Sequence, residues 1–282
     1  MKMKIILILL ALTLAVASGC DYTTIESPEP SVAATADASA TGEPTAAPSA
    51  EPSSTATPSA EPTAPTTSEP PLPLAGAKIG IDAGHQQKGN SELEPQAPGS
   101  DIKKAKVTSG TSGRFTKVPE YQVNLDVALL LEAKLTELGA EVVMVRTTND
   151  VNISNVERAT MMNDAGVDLC IRIHADGSEN ASVNGASMLV PTRETNADIV
   201  DESVAAAETI LEAFIAATGA KNNGLSPRKD MTGFNWSAVP VCLVEMGFLT
   251  NEAEDRLLTS EEYQEKCAQG LADGVAAWWG QR

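Results

Sequence analysis

The chain has 282 residues and sets 20 Lys and Arg against 38 Asp and Glu, a formal net charge of −18. An acidic balance of this size excludes attachment to nucleic acid phosphates or anionic lipid by counterion release. The charge is unevenly spread: residues 1–20 hold two lysines and no acid, residues 21–75 hold eight acids, no base and 11 of the 17 prolines, and 18 bases and 30 acids remain for residues 76–282.

Residues 1–20 read as a lipoprotein-type signal peptide: Lys2 and Lys4, an apolar run from Ile5 to Val16, then Ala17, Ser18 and Gly19 before Cys20. The run is too short to span a bilayer. Ala17-Ser18-Gly19-Cys20 resembles a lipobox in which Cys20 is lipidated, although Ala stands at the first position where Leu is usual. Cleavage after Ala17, giving a secreted protein, is the rival. A Cys placed directly after small residues and before a tether favours lipidation. In both cases the expected location is the outer face of a bacterial membrane or its wall. Residues 21–75 are rich in Pro, Ala, Ser, Thr and Glu, and Pro48-Ser49-Ala50-Glu51-Pro52 recurs at Pro58 to Pro62. With few large apolar side chains this stretch cannot offset its ordering entropy, so it is expected to be a disordered linker. In polyproline form it would reach roughly 170 Å.

Residues 76–282 are long enough for one packed core without disulfides. Cys170 and Cys242 sit inside apolar runs, and with Cys267 they leave an odd number, so buried free thiols are expected. In chain order, Ala77 to Ile81 reads as a strand ending at Asp82-Ala83-Gly84-His85. A long irregular Gly/Ser/Pro/Lys segment follows to Val118. Pro119-Glu120 opens an amphipathic helix through Leu138, closed by Gly139. Glu141 to Arg146 is strand-like, Ile153 to Asn163 helical, and Asp168 to Ile173 a strand leading into His174. Ala186 to Val190 is a further strand, Asn196 to Ala217 a helix, and Asn222 to Pro227 a loop. Val239 to Val244 runs as an apolar strand into Glu245, and helices from Asn251 and Ser260 complete the chain. Trp278-Trp279 reads as a core anchor for the last helix rather than a sugar platform. The alternation of strands and helices predicts a single α/β domain: a mostly parallel twisted sheet with helices on both faces, phosphorylase/hydrolase-like.

In such sheets, sites form beyond the carboxyl ends of strands. His85, His174 and Glu245 each occupy a predicted strand end, and Glu120 opens a helix on the same edge. The domain's two histidines both fall there, a placement that favours metal ligation over a structural role. Two His and one Glu form an established zinc donor set that leaves a position open for water. Glu120 is the first choice for the carboxylate, with Asp176 as the rival. Glu245, after four apolar residues, is costly to bury unless it works or is paired.

Four blocks carry a resemblance: Ile79-Gly80-Ile81-Asp82-Ala83-Gly84-His85, Pro119-Glu120-Tyr121-Gln122-Val123-Asn124-Leu125, Ile171-Arg172-Ile173-His174-Ala175-Asp176, and Val244-Glu245-Met246-Gly247-Phe248-Leu249-Thr250-Asn251. In order and spacing they resemble the zinc-dependent N-acetylmuramoyl-L-alanine amidases of the type-3 family, over about residues 77–279, with Glu157-Arg158 resembling the family as well. The resemblance implies one Zn²⁺ held by His85, Glu120 and His174, Glu245 as the catalytic carboxylate, and peptidoglycan as substrate, cut between N-acetylmuramic acid and L-alanine. The chain departs from the family after His85, where Gln86-Gln87 replaces the usual Gly-Gly and a longer segment follows. Between residues 86 and 118 that segment holds six bases against three acids. Lys103, Lys104, Lys106 and Arg114 are therefore expected to rim the groove and meet stem-peptide carboxylates. Arg172, which shares strand parity with His174, is a candidate for the oxyanion, against the reading of an ion-paired Arg.

Other chemistries fit less well: no Gly-x-Ser-x-Gly elbow occurs, and Cys170 and Cys242 lie within strands. Two readings stay open beside the amidase: a carboxypeptidase-like zinc peptidase acting on stem peptides, and a non-enzymatic wall-binding lipoprotein. A monomer is expected, touching the membrane only through its N-terminal lipid and having no nucleic acid partner.

Overall fold

The computed structural model describes residues 70–282; the signal peptide, Cys20 and residues 21–69 of the expected linker lie outside the described residues. A six-stranded sheet forms the centre, built from β1 (Lys78–Ala83), β4 (Glu141–Met144), β5 (Leu169–Asp176), β6 (Ala186–Pro191), β7 (Asn222–Arg228) and β8 (Val241–Phe248). Its order is β4-β1-β5-β8-β6-β7, parallel throughout except where β6 meets β8. Between β1 and β4 lie a two-stranded antiparallel sheet, β2 (Asn90–Pro95) with β3 (Lys103–Val107), and the helix α1 (Glu120–Glu137).

Strand alternation divides the core in two. Ile79 and Ile81 of β1, Ile171 and Ile173 of β5, and Cys242 and Val244 of β8 face one side, packing with α1, α3 (Val200–Thr218) and α6 (Glu261–Trp279). On α1, Val123, Val127, Leu131 and Leu135 recur every four residues and are fully buried, each stabilising the fold by about 1.5–3 kcal/mol. The opposite face is thinner. Cys170, Val241 and Leu243 meet Met162 of α2 (Asn155–Ala165) and Phe234 of the short α4 (Thr232–Asn235). A capping box between Ser154 and Glu157 starts α2, and Gly166 in the left-handed conformation ends it. The small helix α5 (Glu252–Leu258) precedes α6, whose Trp278 is buried in the larger core, the anchoring place read from the sequence.

Three expectations change. The segment from Gln86 to Val118 is not irregular throughout, because residues 90–107 pair as a hairpin. Asn222 to Arg228, read as a loop, is an edge strand parallel to β6. Leu74 is fully buried, and its N–H donates to the carbonyl of Leu138 at 2.9 Å, so packing begins before residue 76. The three domain cysteines are buried and free, as expected. Among the described residues no helix is long and apolar enough to cross a membrane.

Candidate metal centre

The strand parity that builds the thin face also builds the site. Asp82 on β1, Arg172 and His174 on β5, and Glu245 on β8 all occupy the register that points away from the larger core. Asp82 is the direct partner of Arg172 across the sheet, and His174 is that of Glu245. Glu120, the first residue of α1 after Pro119, comes to the same edge from outside the sheet. One donor atom each from His85, Glu120 and His174 falls within 4.8 Å of the others.

The geometry fixes how these atoms are presented. His85 Nδ1 lies 2.9 Å from the carbonyl oxygen of Thr108. A carbonyl only accepts, so Nδ1 carries a proton, and Nε2 lies 3.1 Å from Glu120 Oε1. His174 Nδ1 is also 3.1 Å from that oxygen, and its buried Nε2 meets no protein partner. Glu120 Oε2 accepts from the N–H of Thr111 at 2.9 Å, which orients the carboxylate. Burial pushes the His174 imidazole down to about 4, against the bond to Glu120, which acts upwards. Burial works against ionising Glu120, yet bonds from His174 and His85 outweigh it and hold the carboxyl below its usual range. The centre is then two imidazoles, that of His174 held neutral by burial, and one carboxylate, a set that suits a divalent cation.

The surrounding backbone leaves no slack. A Cβ at Gly84 would lie 2.3 Å from the His174 ring, and one at Gly110 would lie 2.5 Å from Glu120 Oε2 and 2.8 Å from the His85 ring. The donor set and this close cradle fit a bound metal ion. Asp176, the rival carboxylate, lies at the exposed end of β5 and outside the cluster of three.

His85 itself adopts φ 61°, a left-handed conformation that costs a non-glycine residue of order 1–3 kcal/mol. Buried arginines hold it there. Arg146 donates to the carbonyls of Ala83 (2.8 Å) and Gly84 (3.0 Å), and Arg158 to those of Ala83 (3.0 Å) and His85 (2.8 Å). Asp82 accepts from Arg158 at 2.6 Å and from Arg172 at 2.8 Å. Sequence reasoning named Arg158 only as part of a motif and missed Arg146 and the bridging role of Asp82. For Asp82 and Arg146 the signal was a charge set directly after an apolar run, where only paired charges are tolerated.

Asp82→Asn is expected to destabilise the domain by about 3–5 kcal/mol, because it leaves two guanidinium groups buried with too little countercharge. Burial opposes the Asp82 charge, but Arg158 and Arg172 outweigh it and hold the carboxyl well below its usual range. A depressed folded pKa contributes stability above the unfolded value, and that contribution fades as pH falls through the window beneath it. Urea midpoints should therefore separate the two proteins widely at pH 7 and converge in acid. Equal midpoints at pH 7 would remove the pair from the account of stability.

Glu245 lies across one sheet register from His174, and its buried Oε2 receives no hydrogen bond from the protein. Desolvation, helped by the charges of Glu120 and Asp176, raises its carboxyl well above the ordinary range. Glu245 shares a cleft of about 440 Å³ with His85, Glu120 and His174. The basic residues proposed from sequence divide. Lys103 and Arg114 are exposed and line neither this cleft nor its neighbour, and Lys106 is paired with Glu92 at 2.7 Å. Lys104 does line the neighbouring cleft. Arg172 is committed through Nε to Asp82 and through Nη2 to Asn155, which is the ion-paired reading rather than the oxyanion one.

The family model described as N-acetylmuramoyl-L-alanine amidase matches residues 79–277. An N-acetylmuramoyl-L-alanine amidase of Mycobacterium tuberculosis is 30% identical over 223 residues, spanning 76% of this chain and 90% of its own. LytC of Bacillus subtilis, which carries the same enzyme name, is 30% identical over 207 residues, 73% of this chain and 36% of its own length. Among solved structures, the amidase Ami1 of Mycobacterium smegmatis superposes with a TM-score of 0.69 at 29% identity, covering 74% of this chain and 99% of that one.

Proposed function

Since the chain belongs to the N-acetylmuramoyl-L-alanine amidase family and is a peptidoglycan hydrolase of that kind, we propose that it works with a zinc ion held by His85, Glu120 and His174 and with Glu245 as proton carrier. The bond cut joins the lactyl group of N-acetylmuramic acid to L-alanine of the stem peptide. The observation that carries the reading is the convergence of three metal donors within 4.8 Å, with an unpartnered carboxylate on the neighbouring strand.

Zinc in such a site supplies an acidified water and a polarised carbonyl. The rest falls to the chain's own groups. Thr108 fixes the tautomer of His85, and Thr111 fixes the rotamer of Glu120, so the donors are aimed before anything binds. Glu245 takes the proton of the attacking water and returns it to the L-alanine nitrogen as the carbon–nitrogen bond breaks. A carboxyl whose pKa burial has raised well above the ordinary range is suited to both transfers.

Relatives named as cell wall amidases support a working place in the wall. The sequence of residues 1–20 supports export, with Cys20 as the lipidated residue and residues 21–75 as the tether that lets the domain reach the wall. Mass spectrometry of purified muropeptides after digestion by the protein tests the activity. Expected products are stem peptides with a free L-alanine amine and glycan with a free lactyl carboxylate. Release of single carboxyl-terminal residues would instead support the peptidase reading, and no release at all the wall-binding one.

A further inference from the structure

Two clefts meet at His85 and His174, and their charges are opposite. The larger holds Glu120, Asp176, Glu179 and Glu245 and no Lys or Arg. The smaller, about 260 Å³, holds Lys104, Arg172 and Arg228 and no Asp or Glu. The two halves of an amidase substrate differ in the same sense. The glycan is uncharged and rich in hydroxyls, which donate to carboxylates. The peptide carries carboxylates, beginning with the α-carboxyl of the γ-linked D-glutamate that follows L-alanine.

We propose that the stem peptide leaves the reacting centre through the smaller cleft and that Arg228 receives the α-carboxylate of its second residue, an assignment that rests on the amidase reading. The glycan then lies along the larger, acidic cleft. Arg228 ends β7, and its side chain is 41% exposed, so a ligand reaches it. Asp230 accepts from its Nε at 2.8 Å and its Nη2 at 2.9 Å. Nη1 donates to no acceptor among the described residues. The carboxylate of Asp230 thus aims the guanidinium without saturating it, and a planar fork with free donors is the group that best recognises a second carboxylate. Lys104 closes the arrangement from the hairpin, its Nζ donating to the carbonyl of Asp230 at 2.6 Å. The hairpin β2–β3 therefore forms one wall of the peptide path, and Lys104 is the base of residues 86–118 that faces it. A cleft near the lower end of ligand-pocket volumes suits one or two peptide residues rather than a sugar strand.

Steady-state kinetics of the zinc-loaded full chain on two muramyl peptides decide the matter, the peptides differing only in a free α-carboxylate or a carboxamide on the second residue. The wild-type protein is expected to show a KM lower for the carboxylate by roughly ten- to a hundred-fold, the factor for one charge-assisted hydrogen bond. In Arg228→Gln, KM for the carboxylate should rise by that factor while KM for the amide stays within about two-fold; Arg228→Lys should fall between. The field of Arg228 at Glu245 acts on both substrates alike, so it moves kcat without creating discrimination. Equal KM values in the wild type, or a variant that loses both substrates equally, would overturn the assignment of Arg228. A wild-type protein that cleaves neither peptide would strike the amidase reading instead.

Discussion

Glu245→Gln is expected to lower kcat by roughly 10²–10⁴, the range for losing a positioned proton carrier, with bound zinc and KM little changed. The amide is nearly isosteric and cannot accept the water proton, so the loss isolates chemistry from architecture. Because the carboxyl lies one sheet register from His174 and contributes no atom to the cluster of three donors, metal content should remain at one ion per chain. A variant within ten-fold of wild type would end the assignment. Stability supplies a second readout on the metal-free protein. Burial first, then the charges of Glu120 and Asp176, raises the folded pKa of Glu245, so the native state holds a proton that the unfolded state releases as pH climbs past the usual carboxylate value. Stability then falls with rising pH across that window. Glutamine removes this cost, so thermal unfolding should show the variant more stable than wild type near neutral pH and no different in acid. Active groups that destabilise their own fold are the expected form of a stability–activity trade-off.

What the sequence discloses here follows from which forces act locally. His85, His174 and Glu245 are legible because each ends or interrupts an apolar strand, and a polar group in that position demands a reason. The sheet's parallel centre is legible from continuous apolar runs such as Val241 to Val244. The hairpin β2–β3 is not, because Asn90 to Pro95 and Lys103 to Val107 carry mostly polar side chains and face the body of the protein through only a few contacts. Glu94, which accepts from the N–H of Val156 at the start of α2, and Trp236, whose Nε1 donates to the carbonyl of Pro95 at 3.0 Å, hold it there. Those anchors are distant in sequence. Strand β7 fails the same test for another reason: Asn222, Gly224 and Pro227 are turn formers, yet an edge strand needs ladder bonds on one side alone and tolerates them. The clamp of Arg146 and Arg158 on residues 83–85 is invisible to spacing because it is assembled from β1, the end of β4 and α2.

The same comparison changes the meaning of the net charge. A total of −18 describes how the chain behaves towards polyanions at a distance. It does not describe the reacting centre, where four carboxylates lie on one side of the histidines and three cations on the other. Two of those cations, Arg172 and Arg228, come from the sheet and the third, Lys104, from the hairpin. Their local field is what a docked substrate would meet.

Removing the metal is expected to abolish hydrolysis altogether. Treatment with a chelator should take activity below detection, and one equivalent of Zn²⁺ should restore it in wild type but not in His174→Ala. His174 is the sharper choice of ligand variant, since its buried ring fills the space against Gly84 and brings Nδ1 to 3.1 Å from Glu120 Oε1. The physical measure is thermal. A ligand that binds only the native state stabilises it by about 4 kcal/mol at a free concentration a thousand times its dissociation constant. For a domain of this length that amounts to a rise in Tm of roughly 8–16 °C. The rise should vanish in His174→Ala and persist in Glu245→Gln, because the first loses a donor and the second keeps all three. Binding should also weaken as the pH falls towards about 4, where a proton on His174 competes with the ion. A wild-type Tm indifferent to Zn²⁺, together with activity that survives chelation, would show that His85, Glu120 and His174 hold one another rather than a metal.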